Sequence, residues 1–369
     1  PSRAALMTGR LPIRNGMIGT GARVLFPNSD FGLPSSEITI AEKLKENGYK
    51  TIAVGKWHLG HKKEYLPLQH GFDYYYGIPY SNDMNAINGV TCCPGNNYWP
   101  QYEKKPMNSS NYNVPLMENN EIVERPTDQT TITKRFSEKA VEKINELKDD
   151  KFFIYLAHSL PHIPLYVPDE IRDPNPLNAY TCVIEHIDAE VGRIIKTLKD
   201  LKLEKNTIVI YTTDNGPWLP FKHHGGSAGP LREGKGTTFE GGQRVPCVMW
   251  APSRIPPGSV CEELMGTIDL LPSLAAITQK ALPVKNKIDG LDASELILGT
   301  GNSPRREFLH YTSRGELEGI RSGDWKLLRK KGRNKKQTET IMLFNLSNDL
   351  AEEDNLAPEQ PAIVARLSA

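Results

Sequence analysis

The strongest constraint on the fold is an alternation of short apolar runs with amphipathic segments, in which several apolar runs end in a polar cluster. Residues 152–157 read Phe-Phe-Ile-Tyr-Leu-Ala, as expected for a strand buried on both faces of a sheet. Residues 51–54, 207–212 and 246–250 read as further strands. Between them, residues 39–47 read as a helix stopped by Gly48. Residues 133–147 carry Phe136, Ala140, Ile144 and Leu147 on one side. Val183, Ile184, Ile187, Val191, Ile194, Ile195 and Leu198 mark a third helix. Strands alternating with helices predict an α/β layered fold with a largely parallel sheet.

The texture changes near Ser303. Short runs around residues 308–311, 319–321, 325–329 and 341–345 are separated by turn-like residues, and Ser322-Gly323-Asp324 reads as a hairpin turn. This predicts a small antiparallel sheet packed on the larger unit, dividing the chain into a large α/β domain, 1–302, and a small α+β subdomain, 303–369. The basic run from Lys330 to Lys336 then falls between two of its strands as a solvated loop. Residues 80–126, rich in Pro, Asn and Gly, read as a surface excursion.

Composition excludes several classes. Lys and Arg total 45 against 44 Asp and Glu, a net charge of +1, without the basic excess of a nucleic-acid binder. A hydrophobic share of 38% is enough for a core. No apolar run approaches the roughly 18 residues of a membrane span. The chain starts at Pro1 with neither an initiating Met nor a leader pattern, and so reads as a fragment or trimmed chain that leaves targeting open. Cys92, Cys93, Cys182, Cys247 and Cys261 lack zinc-site spacing and leave disulfide pairing open. Sequons stand at Asn108 and Asn345.

Ligands of open parallel α/β sheets bind beyond the carboxyl ends of the strands. At those ends lie Gly55-Lys56-Trp57-His58-Leu59-Gly60, His158-Ser159-Leu160-Pro161-His162, and Thr213-Asp214-Asn215-Gly216. Asp214 and Asn215 offer the hard oxygens that Ca²⁺ or Mg²⁺ prefers, or equally an Asx turn. Two such side chains need further carboxylates, and no clustered Asp pair follows another strand. Lys56 and His58 alternate along an expected extended segment, so both can face one pocket with Trp57 turned away. Lysine suits an oxyanion and histidine can shuttle a proton. His162, between Pro161 and Pro164, is a candidate general acid, whereas His158 reads as structural. Residues 229–235, Gly-Pro-Leu-Arg-Glu-Gly-Lys, match the start of a P-loop, but Gly236 replaces its Ser/Thr and no apolar strand leads in. Lys235 can still reach an anion.

Several stretches resemble the sulfatase family. Pro1-Ser2-Arg3-Ala4-Ala5-Leu6-Met7-Thr8-Gly9-Arg10 resembles the signature that opens Cys-x-Pro-Ser-Arg and closes Thr-Gly, entered at its third position, and residues 48–58 resemble the second signature. Asp214-Asn215-Gly216, residues 234–242, residues 77–81 and Asp269-Leu270-Leu271-Pro272-Ser273 are similar to the arylsulfatase A and N-acetylgalactosamine-6-sulfatase branch. The resemblance spans essentially the whole chain. It implies an alkaline-phosphatase-like fold and a sulfuric ester hydrolase whose nucleophile is a formylglycine made from the signature Cys, here lying upstream of Pro1. It further implies that Arg3 holds the formylglycine end, that Asp214 and Asn215 bind Ca²⁺ in preference to Mg²⁺, and that Lys56 and Lys235 neutralise sulfate oxygens. By the same resemblance His58 assists the diol and its elimination, His162 protonates or steadies the leaving oxygen, and Ser81 contacts the sulfate or nearby solvent.

The implied partners are sulfated small molecules, glycolipids or glycosaminoglycans, with a homo-oligomer possible and a lysosomal or secreted location. The family's paired N-terminal aspartates are absent, so this chain by itself is expected not to turn over an aryl sulfate. The alternatives are an inactive sulfatase-like module that binds sulfated glycans, and a phosphoesterase of the same superfamily. The residue two positions before Pro1 distinguishes them.

Overall fold

A computed structural model of the chain describes residues 1–18, 24–87, 108–278, 286–331 and 339–369. The main sheet is centred on β1 (Lys50–Gly55), which pairs in parallel with β2 (Tyr74–Gly77) on one side and with β5 (Phe152–Ala157) on the other. Beyond β2, the antiparallel strands β3 (Leu116–Glu118) and β4 (Glu121–Glu124) complete the order β4-β3-β2-β1-β5.

Period-two alternation sends the side chains of β1 into two separate cores. Ala53 packs with Ala4, Met7, Trp57, Phe72 and Tyr75 on one face, while Ile52 and Val54 pack with Tyr76, Ile132 and Phe136 on the other. Helix Ile132–Glu146 supplies Ile132 and Phe136, and it also packs against helix Ala179–Asp200. Helix Ile40–Glu46 starts with a capping box, in which Thr39 Oγ1 accepts from the Glu42 amide and Glu42 Oε2 accepts from the Thr39 amide. Gly48, at a φ of 79°, carries the turn that follows.

Two expectations need correction. The third strand, β6 (Val209–Thr212), does not join the ladder of β1 and β5, but pairs antiparallel with β7 (Cys247–Trp250). Among the described residues no strand pairs with the second edge of β5 or of β6. For the same reason β5 is not buried on both faces: only Ala157 is fully buried and the other five residues are half-buried. Phe153 and Ile210 nevertheless pack against one apolar cluster built on Ile40, Leu44, Leu270 and Leu271.

The C-terminal sheet forms as its pattern predicts. Strands β8 (Glu307–Tyr311), β9 (Leu317–Ser322), β10 (Trp325–Lys330) and β11 (Thr340–Asn345) are antiparallel in the order β11-β10-β9-β8. Gly323 and Asp324 make the two-residue turn between β9 and β10, with Gly323 at a φ of 58°. Most of the basic run, and residues 88–107 with Cys92 and Cys93, lie outside the described residues. The rest of 80–126 is not the surface excursion expected: β3 and β4 extend the main sheet, and Ser81, Asp83, Met84, Tyr112 and Val114 are buried because they pack beneath it. Cys182 is buried, while Cys247 and Cys261 are exposed. Among the described residues no helix is long and apolar enough to cross a membrane.

Candidate active site

The site gathers where β1, β5 and β6 end. Gly55 carries a φ of 104°, and a Cβ there would stand 2.1 Å from the Ala157 carbonyl oxygen. Glycine therefore lets β1 and β5 approach closely just before the functional residues begin. The Lys56 amide donates to that same carbonyl at 2.7 Å. The Lys56 side chain, only 5% exposed, donates to Ser81 Oγ at 3.0 Å. Trp57 turns the other way, into the core against Phe72, with its indole N–H donating to the Tyr65 carbonyl at 2.7 Å.

His58 departs from the extended path expected of it. Its φ is 60°, a left-handed conformation uncommon for a bulky residue and frequent at functional sites. The strand stops at Gly55, so a curled loop and not strand alternation brings His58 to its place. Its Nε2 lies 2.9 Å from the Leu25 carbonyl oxygen. A carbonyl only accepts, so Nε2 carries the hydrogen and Nδ1 keeps the lone pair when the ring is neutral.

Arg3 lies in the short helix Ser2–Thr8 and joins three segments. One guanidinium nitrogen donates to the Lys56 carbonyl at 2.7 Å and to the Tyr155 hydroxyl at 3.1 Å, while Nε lies 3.3 Å from Asp214 Oδ2. Asp214 follows β6 and keeps about two-fifths of its side chain open, at 41% exposure. Beside it, Asn215 turns its amide nitrogen to the Gly216 carbonyl at 2.9 Å.

The glycine-rich 234–242 segment folds back onto this strand end. The Gly216 amide donates to Gly242 at 3.3 Å and the Lys235 amide to Pro217 at 2.8 Å. A Cβ on Gly216 would fall 1.7 Å from the Gly241 carbonyl oxygen, so the two backbones meet only because residue 216 lacks a side chain. Lys235 Nζ sits 4.6 Å from the Trp218 ring centroid, and the His162 ring packs 5.6 Å from the same indole. His162 Nδ1 is 2.7 Å from the Ile163 carbonyl oxygen and 4.0 Å from Asp83 Oδ1. The carbonyl assigns the hydrogen to Nδ1, leaving Nε2 as the proton-accepting atom.

The electrostatics bind these residues into one site. Burial pushes Lys56 down to about 7, and Arg3 and Lys235 add to the effect. Burial, followed by the Lys56 charge, holds both His58 and His162 well below the usual imidazole value, with Lys235 contributing at His162. Burial alone would raise the Asp214 carboxyl, but Arg3, Lys56 and Lys235 together hold it below the ordinary value. Arg3, Lys56 and Lys235 thus share one electrostatic environment with Asp214, while Asp83 lies beside His162 and also acts on Lys56. His158 stands apart: burial lowers it to about 4, neither ring nitrogen has a partner, and its ring lies 6.5 Å from Phe136. Its structural reading agrees with that apolar setting.

Asp214 and Asn215 present the oxygen donors of a hard cation, yet Ca²⁺ takes about six to eight such ligands. Among the described residues no group of three His, Cys, Asp or Glu side chains stands close enough to hold a metal. The donor chemistry fits and the donor set is partial.

Sequence reasoning missed Tyr155, Asp83 and Trp218. Tyr155 is hidden in an apolar strand, and Asp83 lies two residues past Ser81, where its burial at 3% exposure leaves no mark in the pattern. Trp218 had a signal in hand, standing four residues after Asp214.

A sequence model of the Sulfatase family matches residues 1–280. The chain is 34% identical to Arylsulfatase G of Rattus norvegicus, covering 98% of this chain and 74% of the relative. It is 38% identical to Arylsulfatase A of Homo sapiens, with coverages of 88% and 64%. For N-acetylgalactosamine-6-sulfatase of Canis lupus familiaris the identity is 35%, with coverages of 88% and 61%. The chain thus spans roughly two thirds of the length of these curated relatives. Among solved structures, a Bacteroides thetaiotaomicron protein from work on the metabolism of multiple glycosaminoglycans superposes with a TM-score of 0.82 at 26% identity, over 100% of this chain and 87% of that one. Ps i-CgsB, crystallised with k-i-k-neocarrahexaose, gives 0.79 at 30% identity, over 100% and 80%. These neighbours share the alkaline-phosphatase-like architecture, here a mixed sheet with a parallel core, flanked by helices, with a smaller antiparallel sheet. By the family match and the identity to curated relatives alike, the chain belongs to the sulfatase family.

Proposed function

We propose that these residues form the sulfate-binding and proton-transferring part of a sulfuric ester hydrolase of arylsulfatase type. The observation that carries this reading is the gathering of Arg3, Lys56, Lys235, His162 and Asp214 at neighbouring strand ends, with Arg3 bridging Asp214 and the Lys56 carbonyl and with Lys235 and His162 on the same indole. A phosphate or carboxylate would also be attracted there; the family match favours the sulfate ester.

The formylglycine upstream of Pro1 would supply the nucleophilic diol, and Ca²⁺ the polarisation of the sulfate, with Asp214 and Asn215 among its holders. This chain supplies the remainder. Lys56 and Lys235 are placed to neutralise sulfate oxygens as charge shifts during bond cleavage, and Ser81 fixes the Lys56 ammonium. Arg3 bridges the Asp214 carboxylate and the Lys56 carbonyl. The free Nδ1 of His58 can take a proton from an attacking hydroxyl, and His162 Nε2 can gain a proton and pass it to the leaving oxygen.

The corresponding substrates are sulfated small molecules, glycolipids or glycosaminoglycans, acted on in a lysosome or outside the cell. The full-length protein should release 4-nitrocatechol from its sulfate, whereas residues 1–369 alone should not. Hydrolysis confined to phosphate esters would overturn this reading, as would sustained turnover by residues 1–369 the claim of inactivity.

A further inference from the structure

A second charged cluster lies outside the site, between the glycine-rich segment and the C-terminal sheet. Lys326, at the second position of β10, is fully buried, and its ammonium lies 2.9 Å from Glu240 Oε1 and 2.9 Å from Glu352 Oε1. Glu352 Oε2 accepts from the Glu240 backbone amide at 2.6 Å, and its own carbonyl accepts from Arg232 at 2.5 Å. Arg321 of β9 stands 3.5 Å from the second Glu240 oxygen. His310 of β8 is buried beside the two cations, held down to about 3 by burial and then by Lys326 and Arg321. Two carboxylates therefore face two cations and a neutral imidazole.

We propose that Lys326, Glu240 and Glu352 form a clasp that positions Lys235 and the Asp214–Gly216 turn, with Lys326 as its central positioning residue. The mechanical link is short. Glu240 begins the turn of helix Glu240–Gln243. Gly241 is tied back to Arg232 at 2.8 Å, and Gly242 accepts from Gly216 at 3.3 Å, two residues past Asp214. Neighbouring contacts fix the same segment to the same sheet: Lys330 reaches Thr238 at 3.3 Å and lies over Phe239, which also packs on Phe344.

Stability alone does not account for the cluster. Replacing a buried ion pair by apolar residues is often neutral or stabilising, because both charges are taken out of water, whereas removing one partner strands the other. What directional ion pairs add over an apolar contact is a defined position for the backbone they hold. The segment they hold here carries four glycines between residues 234 and 242, with Gly216 opposite it, and so has little stiffness of its own.

The test uses Lys326→Met in the full-length protein. Its kinetic arm rests on the sulfatase reading, while its hydrogen-exchange arm does not. Lys326→Met leaves Glu240 and Glu352 facing each other with Arg321, raising the tendency of that pair to hold a proton. With 4-nitrocatechol sulfate, kcat should fall about tenfold or more at neutral pH, with KM changed less, as displacement of a group acting in the transition state predicts. The ratio of variant to wild type should recover as the pH falls and the carboxyl pair takes up a proton. Amides of residues 232–242 should exchange faster, with those of β1 and β5 unchanged.

Unchanged exchange in 232–242, faster exchange throughout the molecule, or a kinetic loss equal at every pH would each overturn the clasp. If Lys326→Met does not fold, Glu352→Gln, which keeps an acceptor for the Glu240 amide, is judged by the same exchange pattern. Arg329→Ala, at an exposed pair with Glu339, should alter neither readout. A wild type without sulfatase activity overturns the function, and the exchange pattern then decides the clasp alone.

Discussion

The two sides of the site are held by different forces. Lys56 and His58 leave a strand paired along both edges, with β2 in register on one side and all six residues of β1 matched to β5 on the other. Lys235 leaves a segment without regular structure, shaped by glycine backbone contacts and pinned by ion pairs to the C-terminal sheet. Ladder hydrogen bonds make the first side part of the cooperative core, whereas the second can loosen without unfolding it. A damaged first side should therefore cost stability together with activity. A damaged second side should cost activity first.

The largest effect expected on this contrast comes from the cations themselves. Lys235→Ala and Lys56→Ala should each lower kcat about 10²–10³-fold, the range for losing one preorganised donor to a developing charge. Thermal unfolding should separate them, since Lys56→Ala also opens a space in the core while Lys235→Ala does not. Next come two glycines with similar clashes. Gly77→Ala would set a Cβ 1.9 Å from the Gly55 carbonyl, inside the main ladder, and Gly216→Ala sets one 1.7 Å from Gly241. Gly77→Ala should cost about 1–3 kcal/mol of global stability in denaturant titration. Gly216→Ala should leave the midpoint nearly in place while abolishing most turnover; equal midpoints for the two would break the comparison.

The pH dependence gives smaller, signed effects. Lys235 depresses His162, so Lys235→Met favours the protonated imidazole and should move the basic limb of any residual activity to higher pH. Lys56 loses its charge as pH rises through about 7. Inhibition by free sulfate should therefore weaken across that range, and affinity constant from pH 6 to 8 would count against Lys56 as an anion ligand. Smallest of all, Thr39→Ala should cost about 1 kcal/mol through the lost cap and leave kcat unchanged.

The same contrast explains what could be read in the sequence. The first side was legible because β1 and its helices follow short-range patterns: Ile52 and Val54 alternate with Ala53, and Thr39 precedes its helix with Glu42 in place. The C-terminal hairpin was legible from Gly323. The second side resisted because its determinants are distant in sequence, with Glu240 meeting Lys326 and Glu352 across 86 and 112 residues. No local period encodes such a meeting. The curl at His58 escaped for another reason: a left-handed histidine contradicts its local preference, and only the surrounding contacts impose it.

The three-way grip of Arg3 has a consequence for how such a chain can change over generations. Its guanidinium touches the ladder side through Lys56 and Tyr155 and the loop side through Asp214. Lysine, whose donors radiate from one compact nitrogen, does not reproduce the planar fork whose separate nitrogens reach these partners. Variation can therefore accumulate in either side separately, as long as each still presents its oxygen to that one fork. The two sides are free to diversify in sequence and obliged to keep a common distance.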